Sequence, residues 1–387
     1  MTYAKLASAT PRMLILHSEY WLDTACRNAA DGMGWQVDSA RVVAEGLMSR
    51  ELVAGFIEKL VTFRPDFVLS VNFGGMDVDG LFARLFADLH LPYVAWFVDD
   101  PRTILMGRSR YATDYSVVLT WDKAYVPYLE GLGFPEVHVV PLAVDATVFN
   151  APVPEAADSP PAFVGNSMAS FAQREWDWIG QRPELAAAVR DAFDRGAATR
   201  TCFGRGLDAL LQPALVTRLD PDEALHAELL FFVEGTRRLR HELAAALTPE
   251  GMELYGDPGW RLAFPRARGP VNYLAELPRF YARCQVSLNV TSIQMPNTVN
   301  QRVFDCPAAG GFLLTDAQPA LGELFDVDTE VAAYRSLDEA RDLLRHYRAH
   351  PAERRAVAER ARMRVLNEHT YAHRLEHIVS ILKTRFA

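Results

Sequence analysis

The sequence predicts an α/β protein made of two doubly wound domains, each a parallel sheet with helices on both faces. Three observations carry that expectation. Short apolar runs of strand length alternate along the chain with stretches whose apolar residues recur at helical spacing. Residues 150–161 (NAPVPEAADSPP) are rich in Pro and Ala and show no periodicity, so they read as a linker. The chain has 387 residues, half of them hydrophobic, which is enough for two domains with full cores and excludes global disorder.

The first domain, residues 1–150, opens with Met13–His17 (MLILH), a run suited to a buried parallel strand. A helix follows from Glu19 to Asp31, stopped by Gly32 and Gly34. Leu52, Phe56, Ile57, Leu60 and Val61 recur at helical spacing until Pro65 ends that helix. Phe67–Val71 is a strand, Gly74-Gly75 a turn, and Leu81, Phe82, Leu85, Phe86 and Leu89 a helix face. Tyr93–Val98 is a strand running into Asp99-Asp100-Pro101. Tyr115–Leu119 and Val137–Leu142 are strands on either side of the helix Val126–Leu132, which Gly133 caps. Repeated β-α-β connections imply a parallel sheet. The second domain, residues 151–369, begins at the strand Ala162–Gly165, and residues 172–248 read as a helical insertion. Strands return at Met252–Tyr255, Val286–Val290, Phe312–Thr315 and Glu330–Ala333, and the stretch from Leu337 is helical.

Composition narrows the function classes. Forty basic against 49 acidic residues give a net charge of −9, which repels phosphate backbones and argues against nucleic acid as a partner. Cys26, Cys202, Cys284 and Cys306 are scattered with no CxxC pair, and the ten histidines show no HExxH or HxH. A structural zinc site and a disulfide scaffold are therefore not expected. The N-terminus lacks an apolar signal core and no apolar stretch reaches membrane-spanning length, so the expectation is a cytoplasmic protein. The arginine-rich run after Pro351 reads as a solvated face with Glu–Arg pairs at Glu353 and Glu359, rather than as a peripheral membrane contact.

In doubly wound sheets, ligands bind beyond the carboxyl ends of the strands. That rule selects His17, residues 72–75, Asp99-Asp100, Thr120 to Asp122, Gly165-Asn166, Gly256, residues 289–300 and Thr315-Asp316. The most informative stretch is Ser287 to Asp316: a strand, a polar loop, a helix expected to start near Thr298 and end at Gly310-Gly311, and another strand. The N–H groups at such a helix start form an anion site, and Arg302 can add a charged contact to a phosphate. Asp305 follows Arg302 by three positions, so an ion pair on an exposed face is the competing reading.

The segment Arg302-Val303-Phe304-Asp305-Cys306-Pro307-Ala308-Ala309-Gly310 resembles the R-x-F-[ED]-x-x-A-x-G helix of GT-B glycosyltransferases, specifically the CgeB-like (spore maturation) group. Further pieces resemble the same group in order: Tyr93–Arg102, Asp122–Phe149, Ala162–Ser167 with Arg174, Leu254–Trp260, and His369-Thr370-Tyr371 with Arg374. The resemblance implies the GT-B fold, with the last helix (370–387) packing back on the first domain. It implies a glycosyltransferase that uses a nucleotide sugar, a UDP-sugar first among them, as co-substrate. It also implies a donor site made of Gly165, Asn166, Arg174, Tyr255, Asn297, Thr298, Asn300, Arg302 and Asp305. In related retaining enzymes two glutamates eight positions apart face the donor; here Asn297 and Asp305 hold those places, and by analogy the register favours retention.

The acceptor, of unknown class, then falls to the first domain. Asp99 or Asp100 is a candidate base or orienting group, with His17 as a second candidate. Asp100 has a competing role as the cap of the turn before Pro101. No second carboxylate completes a DxD-type metal motif, so no metal is expected. Two alternatives stay open: a nucleotide-sugar epimerase of the same fold, and a non-catalytic nucleotide-sugar-binding protein.

Overall fold

The computed structural model describes residues 3–18, 20–41, 49–150, 152–154 and 157–386. Glu19 and part of the expected linker (residues 151, 155 and 156) lie outside these. The chain divides into two compact units, Met1–Thr147 with His369–Ala387, and Val148–Glu368.

The first unit is a six-stranded parallel sheet in the order β2-β1-β3-β4-β5-β6. Its strands are β1 (Arg12–Leu16), β2 (Gln36–Ala40), β3 (Phe67–Val71), β4 (Tyr93–Phe97), β5 (Ser116–Thr120) and β6 (Glu136–Val139). The central strands β3, β4 and β5 are buried along their whole length, which is why they read as unbroken apolar runs. Strand β2 (QVDSA) is an edge strand, only partly buried, and its polar sequence gives no strand signal. The helix Trp21–Gly32 packs with the C-terminal helix Tyr371–Phe386. Tyr371, Leu375, Ile378 and Leu382 join Met13, Ile15, Leu69, Trp96 and Leu119 in one core. Arg374 is buried with them and donates to the carbonyls of Pro141 (3.0 Å) and Leu142 (3.1 Å).

The second unit is a five-stranded parallel sheet in the order β11-β10-β9-β7-β8. Its strands are β7 (Ala162–Val164), β8 (Glu253–Tyr255), β9 (Ser287–Leu288), β10 (Leu313–Asp316) and β11 (Ala332–Tyr334). Between β7 and β8 lies a helical insertion with its own core, around Phe193, Phe203, Leu230 and Phe231. Its longest helix, Pro221–Leu247, begins at a capping box formed by Asp220 and Glu223.

One expectation about this unit is corrected. The helix expected near Thr298 starts at Arg302 and runs only to Ala308. Residues 296–298 are bends, and Thr298 and Val299 are buried. The Asn300 side-chain amide is tied to Asn289 in a reciprocal pair (3.0 and 2.9 Å), and its carbonyl accepts the Val303 N–H (3.1 Å). Asn300 thus serves as the anchor of the turn, four residues after Pro296, and the backbone becomes helical only beyond it.

Candidate donor site

In the second unit β7 is flanked by β8 on one side and β9 on the other, so the chain reverses its winding direction between β7 and β9. Arg302 bridges the carboxyl ends of those two strands. Its guanidinium donates to the Val164 carbonyl at the end of β7 and to the Asn289 Oδ1 just past β9. The same group lies 4.8 Å from the Phe163 ring centre. The competing reading, an ion pair of Arg302 with Asp305 on an exposed face, does not hold. Asp305 is buried and accepts from Tyr273 Oη (2.8 Å) and Gln301 Nε2 (2.7 Å).

A second arginine reaches the same place. Arg240, on the long helix, donates through Nη1 to the Asn166 carbonyl (2.6 Å). Burial pushes its pKa down to about 9, and the Arg302 charge adds to that shift. Neither guanidinium makes an ion pair among the described residues, and the Nε of each is buried without a hydrogen-bond partner. The neighbouring arginines differ: Arg237 and Arg238 both close on Glu234, at 2.6 and 2.8 Å. The sequence run RRLRH therefore contains two cations that share one carboxylate and a third, Arg240, that lies beside Arg302 with no ion-pair contact, only the nearby Asp257 charge partly offsetting it. Sequence reasoning missed Arg240 because its run resembles a solvated helix face.

The loop after β7 is braced from the loop after β8. Asp257 accepts from the Ser167 N–H (2.5 Å) and Ser167 Oγ (2.8 Å), and Trp260 Nε1 donates to the Gly165 carbonyl (2.8 Å). The exposed Asn166 closes a local turn, its Oδ1 accepting the Met168 N–H (2.6 Å). His241 stacks on Trp260 with ring centres 4.9 Å apart, and burial lowers its pKa.

The structure brings Gly165, Asn166, Asn300 and Arg302 together through Asn289 and the β7 end. It does not bring Arg174 there: that side chain is exposed and paired with Glu175 (3.0 Å), which also accepts from His226 (2.7 Å). Tyr255 gives its hydroxyl to Glu253 (2.7 Å) and its ring to Phe280, while its carbonyl accepts the Gly165 N–H (2.9 Å). Asn297 is held through its carbonyl by the Ala320 N–H (2.8 Å).

The acceptor-side candidates lie in the first unit at its own winding reversal, between β1 and β3. Asn72 donates to Asp99 Oδ2 (2.8 Å) and accepts from the Val98 N–H (2.8 Å), and Tyr20 Oη donates to the same Asp99 oxygen (3.3 Å). Burial and the Asp99 charge raise the Tyr20 pKa. His17 is half exposed, with Nδ1 3.9 Å from Asp23. The loops touch closely: a side chain at position 74 would overlap Ser18. Asp100 is committed elsewhere. It caps the helix Pro101–Leu105 by accepting the Arg102 N–H (2.9 Å), and it holds the Arg102 guanidinium at 2.5 Å.

Residues 234–380 match the family described as glycosyl transferase-like. No curated protein matches the chain by sequence. Solved structures match along nearly the whole chain. Sucrose-phosphate synthase from Thermosynechococcus elongatus shares 11% identity at a TM-score of 0.53, covering 97% of this chain and 99% of that one. HepE from Anabaena, in complex with UDP and glucose, shares 10% at 0.56, covering 96% and 99%. The chain has the GT-B fold. T4 phage BGT, in complex with its UDP-glucose substrate, is also similar, with 9% identity at 0.50 over 97% and 99%. The family match and the fold together support a glycosyltransferase. No described helix of this GT-B chain is long and apolar enough to cross a membrane.

Proposed function

We propose that the chain is a GT-B glycosyltransferase of the CgeB-like group, taking its donor as a nucleoside diphosphate sugar. The observation that carries this is the pair Arg302–Arg240. Two guanidiniums that repel each other flank one backbone loop, at the strand ends where such sheets bind ligands. Holding like charges there is unfavourable, the Asp257 charge offsets it only in part, and a diphosphate relieves the rest.

In this reading the diphosphate lies against residues 165–167, with Arg302 and Arg240 taking the charge that grows on it as the glycosidic bond breaks. These cations do the work that a metal does in other transferases, so the reaction is metal-independent. Asn300 and Asn289 hold the Arg302 fork in register. Asp305 positions Gln301 and Tyr273 by accepting from both. UDP is the first nucleotide to test, because HepE and BGT were both solved with UDP or its glucose conjugate. Calorimetric titration with UDP and with UDP-glucose is expected to show saturable binding that survives EDTA. Absence of binding by any nucleoside diphosphate would overturn the reading.

The acceptor would be oriented by Asp99, supported by Tyr20 and Asn72. Asp99→Asn is expected to lower turnover at least tenfold with donor affinity unchanged, as removal of a proton acceptor does. Equal turnover would remove Asp99 from the chemistry. All four cysteines are free, which fits a reducing, cytoplasmic setting.

A further inference from the structure

We infer that the turn His346–Glu353 is a surface site for a divalent late transition metal, independent of the donor site. The helix Leu337–Ala349 ends at His350, and the helix Pro351–Glu368 begins immediately after it. His346 and His350 are one helical turn apart, and their rings stack with centres 4.2 Å apart at 24°. Glu353, in the first turn of the next helix, places Oε2 2.9 Å from His346 Nε2. One ligand atom from each of the three residues falls within 4.8 Å of the other two. Tetrahedral zinc with bonds of about 2.0–2.2 Å needs its ligand atoms roughly 3.4 Å apart, so exposed side chains close the gap by small rotamer movements.

The hydrogen bonding prepares the ligands. His350 Nδ1 lies 2.8 Å from the His346 carbonyl, which can only accept, so Nδ1 carries the proton and Nε2 keeps its lone pair. His346 donates Nε2–H to Glu353, so a metal enters that gap as the ring's proton passes from Nε2 to Nδ1. No net deprotonation of a neutral ring is needed. The nearest arginines point away from the cluster: Arg345 is paired with Glu250 (2.6 Å), and Arg348, which keeps its charge, donates to the Glu250 carbonyl (2.7 Å). The site lies between the C-terminus of one helix, whose dipole favours a cation, and the N-terminus of the next, whose dipole opposes it, so the helix dipoles give no net preference. Two imidazoles and one carboxylate select zinc, nickel or copper over magnesium or calcium. The fourth position is left to water.

Calorimetry of the tag-free full chain with zinc chloride tests this. One equivalent is expected to bind. His346→Ala and His350→Ala should each weaken it roughly tenfold or more, Glu353→Gln less, and His138→Ala not at all. Circular dichroism of each variant checks that the helices are intact, and all three side chains are exposed enough to be removed without a cavity. Unchanged affinity in the His346→Ala, His350→Ala double variant would overturn the proposal. So would magnesium chloride binding as tightly as zinc.

Discussion

Arg302→Ala is expected to weaken UDP binding by about 1.5–3 kcal/mol, roughly 10- to 150-fold, the range for a hydrogen bond to a charged group. It is expected to cut turnover further, by roughly 10²–10³, because stabilisation of developing charge is lost as well. The side chain holds the β7 and β9 ends together through Val164 and Asn289 and also supplies positive charge. Arg302→Lys separates these roles. Lysine keeps the charge but lacks the planar fork that spans two acceptors, so it should recover only part of the affinity. Calorimetry and steady-state kinetics on both variants check this. Arg302→Ala with wild-type UDP affinity would show that the guanidinium only braces the strands, and the donor site would have to be sought elsewhere.

How much of this was readable in the sequence follows from burial. Strands β3, β4 and β5 are covered on both faces, so their sequences are continuous apolar runs. Strand β2 leaves Gln36 exposed and the rest only partly covered apart from Ala40, and nothing in QVDSA distinguishes it from a loop. The fold of the second unit was legible from its spacing of strands, although β9 forms only two residues of ladder. Side-chain partnerships were less legible. Spacing placed Arg302 and Asp305 on one helix face, but a helix of seven residues lets its first side chain reach across to β7 while Asp305 turns to Tyr273. Arg240 was invisible because sequence does not show that Glu234 serves Arg237 and Arg238 and leaves the third arginine over. The capping reading of Asp100 matches its contacts in the structure, and the open question of the acceptor carboxylate passes to Asp99. The His346–His350 spacing was present in the sequence, but its third ligand lies beyond a proline, on a separate helix.

Gly256→Ala is expected to cost about 3 kcal/mol of stability, the upper part of the range for overpacking, and to abolish tight donor binding with it. A methyl group at position 256 would overlap the Gly165 carbonyl oxygen and press on the Trp260 ring that donates to that same carbonyl. Backbone cannot swing aside as a flexible side chain can. Relief therefore requires the loop 165–167 to part from the loop 256–260, which breaks the bonds from Ser167 to Asp257. Those bonds hold the loop whose Asn166 carbonyl receives Arg240 and which directly follows the Val164 carbonyl that receives Arg302, so the two guanidiniums would lose their shared platform. Gly269→Ala is the control, since nothing lies within 4 Å of a Cβ there and its φ is not in the left-handed region. Denaturant titration of both variants, followed by UDP titration of the folded protein, separates the effects. If Gly256→Ala matches Gly269→Ala in both measurements, the two loops are not mechanically joined, and the donor platform is not built as described.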